Sequence, residues 1–171
     1  MTDKQISQLL EQQAIERMMF EYSYYLDMND PQNMATLFVD DCEVSYAPNF
    51  GATGIEAYKQ TLDGIGTFFK GTSHHNSNVV VDFISDTEAD VRSIVLAIHR
   101  YTKERPDGIL YGQYFDRVVK VDGKWKFKRR ELRTRTKPVL TTMRPVAPPW
   151  PAPAWRPARS GARRRGTQAR R

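Results

Sequence analysis

Residues 71–83 read GTSHHNSNVVVDF, and the rest of the chain is organised around this stretch. Two adjacent histidines, His74 and His75, lead into a run of three valines that favours a β-strand. A histidine at the mouth of a buried strand can act as a base, because its unperturbed pKa is about 6.5. Such a base needs a carboxylate to fix its tautomer and an apolar pocket to enclose it.

The N-terminal segment predicts one long amphipathic helix. Apolar residues recur about every four positions from Ile6 to Leu26, and the helix is expected to end near Asn29. This helix carries Tyr22 and Asp27, which lie five residues apart and so about 140° apart around the axis. Both can line one pocket only if the C-terminal end of the helix is covered from two sides.

Two shorter helices are predicted next. Asp30 as N-cap and Pro31 at the first helical position predict a helix that runs to about residue 38. A strand over 42–47 and a glycine-containing loop over 49–54 follow. Apolar residues at i, i+3, i+7 and i+10 then predict a third helix over 55–65.

The second half of the domain predicts four long strands. Asp107-Gly108 and Asp122-Gly123 are typical hairpin turns between the last three of them. The pattern predicts an α+β fold, with three N-terminal helices packed in a strongly curved mixed or antiparallel sheet. A curled sheet closed by a long helix leaves a conical cavity for a ligand. The predicted strands span 74–84, 89–103, 109–121 and 124–136.

The composition changes after residue 140 of the 171. Residues 1–140 are predicted to form one domain, and 141–171 a Pro/Arg-rich tail that is largely disordered. Seven arginines after residue 144 exceed the whole net charge of +6, so residues 1–144 carry −1. The basic character belongs to the tail, which predicts loose, salt-dependent attraction to nucleic acid and no specific nucleic-acid site.

The sequence contains few features that indicate a cellular compartment. Cys42 is the single cysteine, so no internal disulfide can form. The N-terminus has no apolar signal-peptide region, and no apolar run approaches the roughly 20 residues that span a bilayer. A cytoplasmic protein without membrane contact is expected.

Asp27 and His74 are the main candidates for chemistry. A carboxylate at one ring nitrogen would stabilise the imidazolium and leave the other nitrogen free to take a proton. The simpler interpretation is a polar histidine at a strand start. His74 is chosen over His75 because Asn76 and Asn78 share its face in strict alternation, although a bulge would reverse that choice.

Further polar residues lie on the predicted strands. His99 follows an apolar strand pattern and by itself reads as a core histidine, and tyrosines such as Tyr46 read as core aromatics. Arg130 could clamp an anion, but strict alternation places it on the face opposite Trp125 and Phe127. No histidine or cysteine spacing favours a metal site, and no glycine loop favours a phosphate.

Several stretches together resemble the SnoaL-like branch of the NTF2-like superfamily, a family of cone-shaped α+β proteins. The resemblance spans about residues 5–140. It rests on YSYYLDMND at the end of the first helix, LFVDDCEVSY, GATGIEAYKQTL, TSHHNSN and GQYFDRVVKVDGKWKFKRRELR. Within this branch the chain is similar to scytalone dehydratase, bile acid 7α-dehydratase and hexachlorocyclohexane dehydrochlorinase.

The resemblance implies roles for individual residues. Asp27 and His74 match the Asp–His pair of these enzymes, while Tyr22 and Tyr46 resemble dehydratase tyrosines that polarise a carbonyl or hold the departing water. His99 resembles a second histidine of scytalone dehydratase.

Arg130, five residues after Trp125, resembles an arginine of the dehydrochlorinase and the bile acid enzyme. Either this arginine or His99 would stabilise developing negative charge.

The implied activity is a cofactor-independent, metal-free elimination by a dehydratase-type lyase. Its substrate would be a small hydrophobic cyclic molecule, polyketide-like or steroid-like. An isomerase or cyclase with the same base, and a non-catalytic small-molecule-binding protein, remain alternatives on this fold. The resemblance also implies a homo-oligomer, with a trimer favoured and a dimer as the alternative.

Overall fold

The computed structural model describes residues 1–46, 50–63, 65–104, 106–134 and 139–141. Helices and strands follow the α+β order predicted from the sequence. The helices are α1 (Asp3–Asp27), α2 (Pro31–Thr36), α3 (Ile55–Asp63) and α4 (Ile65–Phe68). The strands are β1 (Phe38–Tyr46), β2 (Phe50–Thr53), β3 (Phe69–Ser85), β4 (Glu88–Tyr101), β5 (Asp107–Val121), β6 (Lys124–Thr134) and β7 (Val139–Thr141).

The strands form one mixed sheet in the order β2-β1-β6-β5-β4-β3. Strands β1 and β6 run parallel, whereas the other pairs are antiparallel, and β7 pairs with the start of β5. Helix α1 contacts both β6 and the edge strand β3, which lie three places apart in the sheet. The sheet therefore curls around α1, in agreement with the predicted cone.

Helix α1 turns into α2 where the sequence predicted. Asn29 has a φ of 52°, and the side chain of Asp30 then accepts a hydrogen bond from the backbone N–H of Asn33 at 3.1 Å. Asp30 is thus the N-cap and Pro31 the first residue of α2, as predicted, although α2 ends at Thr36 rather than near residue 38.

The core lies between α1 and the concave face of the sheet. Its fully buried side chains come from both layers and include Ile15 and Met19 of α1, Tyr58 of α3, and Val91 and Phe127 of the sheet. Of the predicted apolar stripe of α1, Met18 and Tyr22 are buried, whereas the residues of its first part, Ile6, Leu9, Leu10 and Ala14, are exposed.

Two predicted turns have different outcomes. Asp122 and Gly123 have φ angles of 50° and 76° in the β5–β6 hairpin, which confirms that turn. Asp107-Gly108 is not a turn, because both residues already belong to β5. A side chain at Gly108 would lie 2.6 Å from the hydroxyl of Tyr101, so glycine here permits a close contact rather than a turn.

Two strands were not predicted. The segment read as a glycine loop over 49–54 contains β2, which pairs with β1 through Gly51 opposite Ser45. Strand β7 lies at the boundary of the predicted tail, and residues 142–171 lie outside the described residues. No helix in the described ranges is long and apolar enough to cross a membrane.

Candidate active site

The concave side of the sheet encloses a cavity of about 410 Å³. Its wall combines side chains from α1, α3, α4 and strands β1 to β6. Among the described residues that line it, none is an aspartate, glutamate, lysine or arginine. The polar groups of the wall are hydroxyls and imidazoles, those of Tyr22, Tyr46, Tyr58, Thr61, Thr72, His74, His99, Tyr101 and Tyr114.

Asp27 and His74 are hydrogen bonded at one edge of this cavity. Asp27 is the last residue of α1, and His74 lies in β3 next to it. Nδ1 of His74 lies 2.7 Å from Oδ1 of Asp27, and the backbone N–H of His74 donates to Oδ2 at 2.8 Å. The hydroxyl of Thr72 donates to Oδ1 at 2.8 Å. The carboxylate therefore fixes both the backbone and the ring of His74.

The environment of Asp27 favours its charged form. Burial by itself would raise the pKa of Asp27, but hydrogen bonds from the His74 ring, the His74 backbone and Thr72 outweigh it and lower the pKa. An ionised Asp27 accepts a hydrogen bond from Nδ1–H of His74. Nε2 is then the ring nitrogen that can take a proton from a ligand.

The alternation of β3 distinguishes the two histidines. His74 is 8% exposed in its side chain, whereas His75 is exposed and lies with Nε2 3.0 Å from the hydroxyl of Ser73. Asn76 shares the inner face, and its amide donates to the backbone oxygen of Met19 at 3.0 Å. Asn78, expected on the same face, is exposed because β3 changes register there.

His99 lies beside His74 in the cavity wall. The Nε2 atoms of the two rings are 3.4 Å apart, and the His99 ring stacks on Phe69 with 4.8 Å between centroids. Burial, and then the neighbouring charge of His74 when protonated, lower the pKa of His99 to about 4. His99 is therefore a neutral imidazole at neutral pH, rather than a cation that could stabilise an anion.

Three tyrosine hydroxyls are connected in the cavity. Tyr22 and Tyr46 have their hydroxyl oxygens 2.6 Å apart, and the hydroxyl of Tyr58 lies 3.3 Å from that of Tyr46. Burial raises the pKa of each of the three well above its usual value, so all three are neutral donors. Sequence reasoning missed Tyr58, because its spacing in α3 indicated only a core position.

Arg130 lies behind the tyrosines rather than in the cavity wall. Its guanidinium carbon is 3.6 Å from the ring centroid of Tyr114 and 4.0 Å from that of Tyr22. Nη1 lies 3.2 Å from Oδ2 of Asp116, and both side chains are fully buried. Burial raises the pKa of Asp116 to about 7, and the attraction of Arg130 opposes this only in part.

A β-bulge explains why strict alternation misplaced Arg130. In the pairing of β5 with β6, Arg117 faces Arg129 while Val118 faces Phe127, so Lys128 is an extra residue. The bulge shifts the alternation by one residue and turns Arg130 to the same face as Phe127. The prediction that Arg130 and Phe127 lie on opposite faces is therefore wrong.

Within the described ranges, no group of three or more histidine, cysteine, aspartate or glutamate side chains could hold a metal ion.

The Arg130 side chain keeps Nε and Nη2 without a hydrogen-bond partner among the described residues. Its stacking on the rings of Tyr22 and Tyr114 takes the place of those bonds.

Comparison with known proteins gives a family match and similar solved structures. The sequence matches the SnoaL-like domain over residues 7–131. A crystal structure from Novosphingobium aromaticivorans, of a protein provisionally named a scytalone dehydratase, is 74% identical to this chain. The match covers 82% of this chain and 93% of that one, with a TM-score of 0.76. No curated protein matches the chain.

More distant structures are similar in fold alone. A hexachlorocyclohexane dehydrochlorinase from Novosphingobium barchaimii is 17% identical, with a TM-score of 0.73 over 82% of this chain and 99% of that one. A protein of unknown function from Mycobacterium tuberculosis is 22% identical, with a TM-score of 0.66 over 74% of this chain and 73% of that one.

Proposed function

Because the chain belongs to the SnoaL-like domain family of the NTF2-like superfamily, we propose that it is a cofactor-independent lyase. The reaction would be a dehydratase-type elimination from a small hydrophobic cyclic molecule. The observation that carries the proposal is the 2.7 Å contact of Asp27 with His74 at the wall of an otherwise uncharged cavity. The 74% identity to a protein provisionally named a dehydratase supports the same class.

His74 is the proposed base. Nε2 removes a proton from a carbon next to a carbonyl, and the electron pair of that C–H bond forms the enolate. The enolate then re-forms the carbonyl as the β C–O bond breaks, and the departing oxygen takes the proton from Nε2 of the His74 imidazolium to leave as water. Asp27 stabilises the imidazolium that exists between the two proton transfers.

The tyrosines are the proposed hydrogen-bond donors. Tyr22 and Tyr46 would donate to the carbonyl oxygen or to the departing hydroxyl, where negative charge develops. Arg130 would act through Tyr22, because its guanidinium contacts the ring face and lies outside the cavity wall. His99 would orient Nε2 of His74 as a neutral neighbour rather than supply positive charge.

The substrate is proposed to be neutral and largely apolar. A buried carboxylate or phosphate would need a cation, and no lysine or arginine is among the described lining residues. A volume of about 410 Å³ lies in the range of small-molecule sites. Aromatic walls formed by residues such as Phe68 and Phe69 favour a flat ring system.

One substrate tests the proposal directly. A β-hydroxy ketone such as 3-hydroxy-1-tetralone becomes 1-naphthol on loss of water, so absorbance and product mass both report turnover. Loss of water that depends on His74 supports the lyase. A product of unchanged mass supports the isomerase alternative, and saturable binding without any product supports the binding protein.

A homo-oligomer, most simply a trimer, is also proposed. Apolar side chains are exposed on the face of the sheet that points away from the cavity, including Ile84, Ile94 and Tyr111. Sedimentation velocity of the wild type and of Ile94→Asp tests this assembly. A wild type that sediments as a monomer at all concentrations would contradict it.

A further inference from the structure

Tyr58 carries the last of the three connected hydroxyls, at the end opposite Tyr22. It is fully buried in α3, and its hydroxyl lies 3.3 Å from that of Tyr46 and 3.6 Å from the sulfur of Met34. Tyr46 in turn lies 2.6 Å from Tyr22. The hydroxyl chain, defined as Tyr22, Tyr46 and Tyr58, therefore runs from α1 across β1 to α3 and ends on a thioether.

The thioether favours one direction of the hydroxyl chain. A methionine sulfur has no proton to give, so Tyr58 donates to Met34. Each hydroxyl has a single proton, so in this arrangement Tyr58 accepts from Tyr46, and Tyr46 accepts from Tyr22. None of the three protons is then donated to a ligand.

This arrangement costs little to reverse. A thioether is a weak acceptor, and the distance of 3.6 Å is long for an O–H donor. A carbonyl or hydroxyl oxygen in the cavity is a much stronger acceptor. If Tyr22 donates to such an oxygen, Tyr46 can donate to Tyr22 and Tyr58 to Tyr46. Among the hydrogen bonds that join these three hydroxyls and Met34, this reversal breaks only the weak one to the sulfur.

We propose that Tyr58 is a positioning residue that reverses the hydroxyl chain and makes Tyr22 a stronger donor to a substrate oxygen. Hydrogen bonds in such a chain polarise one another, so the hydroxyl of Tyr58 strengthens the hydrogen bond that Tyr22 donates. Arg130 lies 4.0 Å from the ring centroid of Tyr22 and stabilises negative charge that spreads onto that ring. The inference rests on the proposed function, since it assumes that the ligand presents an oxygen acceptor.

The test compares two variants with opposite expected effects. The probe is 1-tetralone carrying ¹³C at its carbonyl, a neutral bicyclic ketone without a leaving group, and infrared spectroscopy measures the red shift of its C=O stretch on binding. Tyr58→Phe should reduce this red shift by about 10–30%, the contribution of one cooperative bond. Met34→Leu should increase it, because Tyr58 then has no competing acceptor.

The control is Tyr24→Phe, which removes a hydroxyl from an exposed tyrosine and should leave the stretch at its wild-type frequency. Tyr58→Phe and Met34→Leu both preserve packing, since one removes a single oxygen atom and the other is close in volume. A C=O frequency in Tyr58→Phe equal to that in the wild type would overturn the proposal. A change of the same sign in both variants would also overturn it.

Failure of the wild type to bind 1-tetralone would count against the proposed substrate class and not against the hydroxyl chain. The hydroxyl chain is then tested in the ligand-free protein by the NMR signals of the tyrosine hydroxyl protons. The Tyr46 signal should move in Tyr58→Phe, because Tyr46 loses the oxygen to which it donates. An unmoved Tyr46 signal would overturn the chain independently of the substrate.

Discussion

Asp27 holds His74 at two points, through the ring Nδ1 at 2.7 Å and through the backbone N–H at 2.8 Å. The carboxylate ends α1 and the imidazole lies in β3, so the pair also joins the helix to the edge of the sheet. The side-chain contact fixes the tautomer, and the backbone contact fixes the strand that carries the ring. Because asparagine has the same shape as aspartate and keeps one acceptor oxygen, Asp27→Asn should change the base without unfolding the protein.

Asp27→Asn is expected to lower turnover of 3-hydroxy-1-tetralone by about 100- to 10,000-fold. An asparagine amide that donates to Nδ1 forces the proton of His74 onto Nε2, which then cannot act as a base. Steady-state kinetics measure the loss, and thermal unfolding checks that the fold is intact. Turnover equal to that of the wild type in a folded Asp27→Asn protein would rule out the proposed base.

Thr72→Val is expected to raise the pKa of Asp27. The Thr72 hydroxyl stabilises ionised Asp27, so its removal raises the pKa of Asp27 by about one unit. The carboxyl ¹³C NMR shift of Asp27, measured as a function of pH, gives this change. Thr72→Ser, which restores the hydroxyl, should return the pKa to its wild-type position, and an unchanged pKa in Thr72→Val would contradict the role.

The parts of this structure that sequence reasoning found are those set by local rules. The cap at Asp30 with Pro31, the turn at Asp122-Gly123 and the alternation that turns His74 inward each depend on a few neighbouring residues. The pairing of Asp27 with His74, which lie 47 positions apart in sequence, was proposed from the residue types, and the resemblance to the SnoaL-like branch supported it.

What sequence reasoning missed depends on contacts between distant elements. The bulge at Lys128 is fixed by pairing with β5, and a single-strand pattern cannot reveal it. Tyr58 looks like an ordinary core aromatic until its hydroxyl meets that of Tyr46 from another element. Strand β2 is only four residues long, and it pairs with β1 through backbone groups that carry no sequence signal.

His99→Gln is expected to make stability less dependent on pH between about 4 and 6.5. The folded pKa of His99 is lowered from 6.5 to about 4, so in this window the unfolded chain binds a proton that the folded protein does not. Wild-type stability therefore falls as the pH is lowered, with a slope of up to about 1.4 kcal/mol per pH unit for one proton.

Urea unfolding of wild type and His99→Gln at several pH values measures this difference. Asp27 and Asp116 titrate in both proteins, so their contributions cancel in the comparison. His75→Gln changes an exposed histidine on the other face and should keep the wild-type slope. Equal slopes in the wild type and His99→Gln would show that His99 is not held neutral by burial.

Arg130→Met is expected to destabilise the fold by about 3–5 kcal/mol, because it leaves Asp116 buried without its cation. The double variant Arg130→Met with Asp116→Leu removes both charges and should recover most of this loss. Denaturant unfolding of the wild type, both single variants and the double variant gives the coupling energy. If the double variant is as unstable as the sum of the single ones, the two side chains do not act as a pair. Recovered stability with weak binding of 1-tetralone would separate the structural role of the pair from the contact of Arg130 with Tyr22.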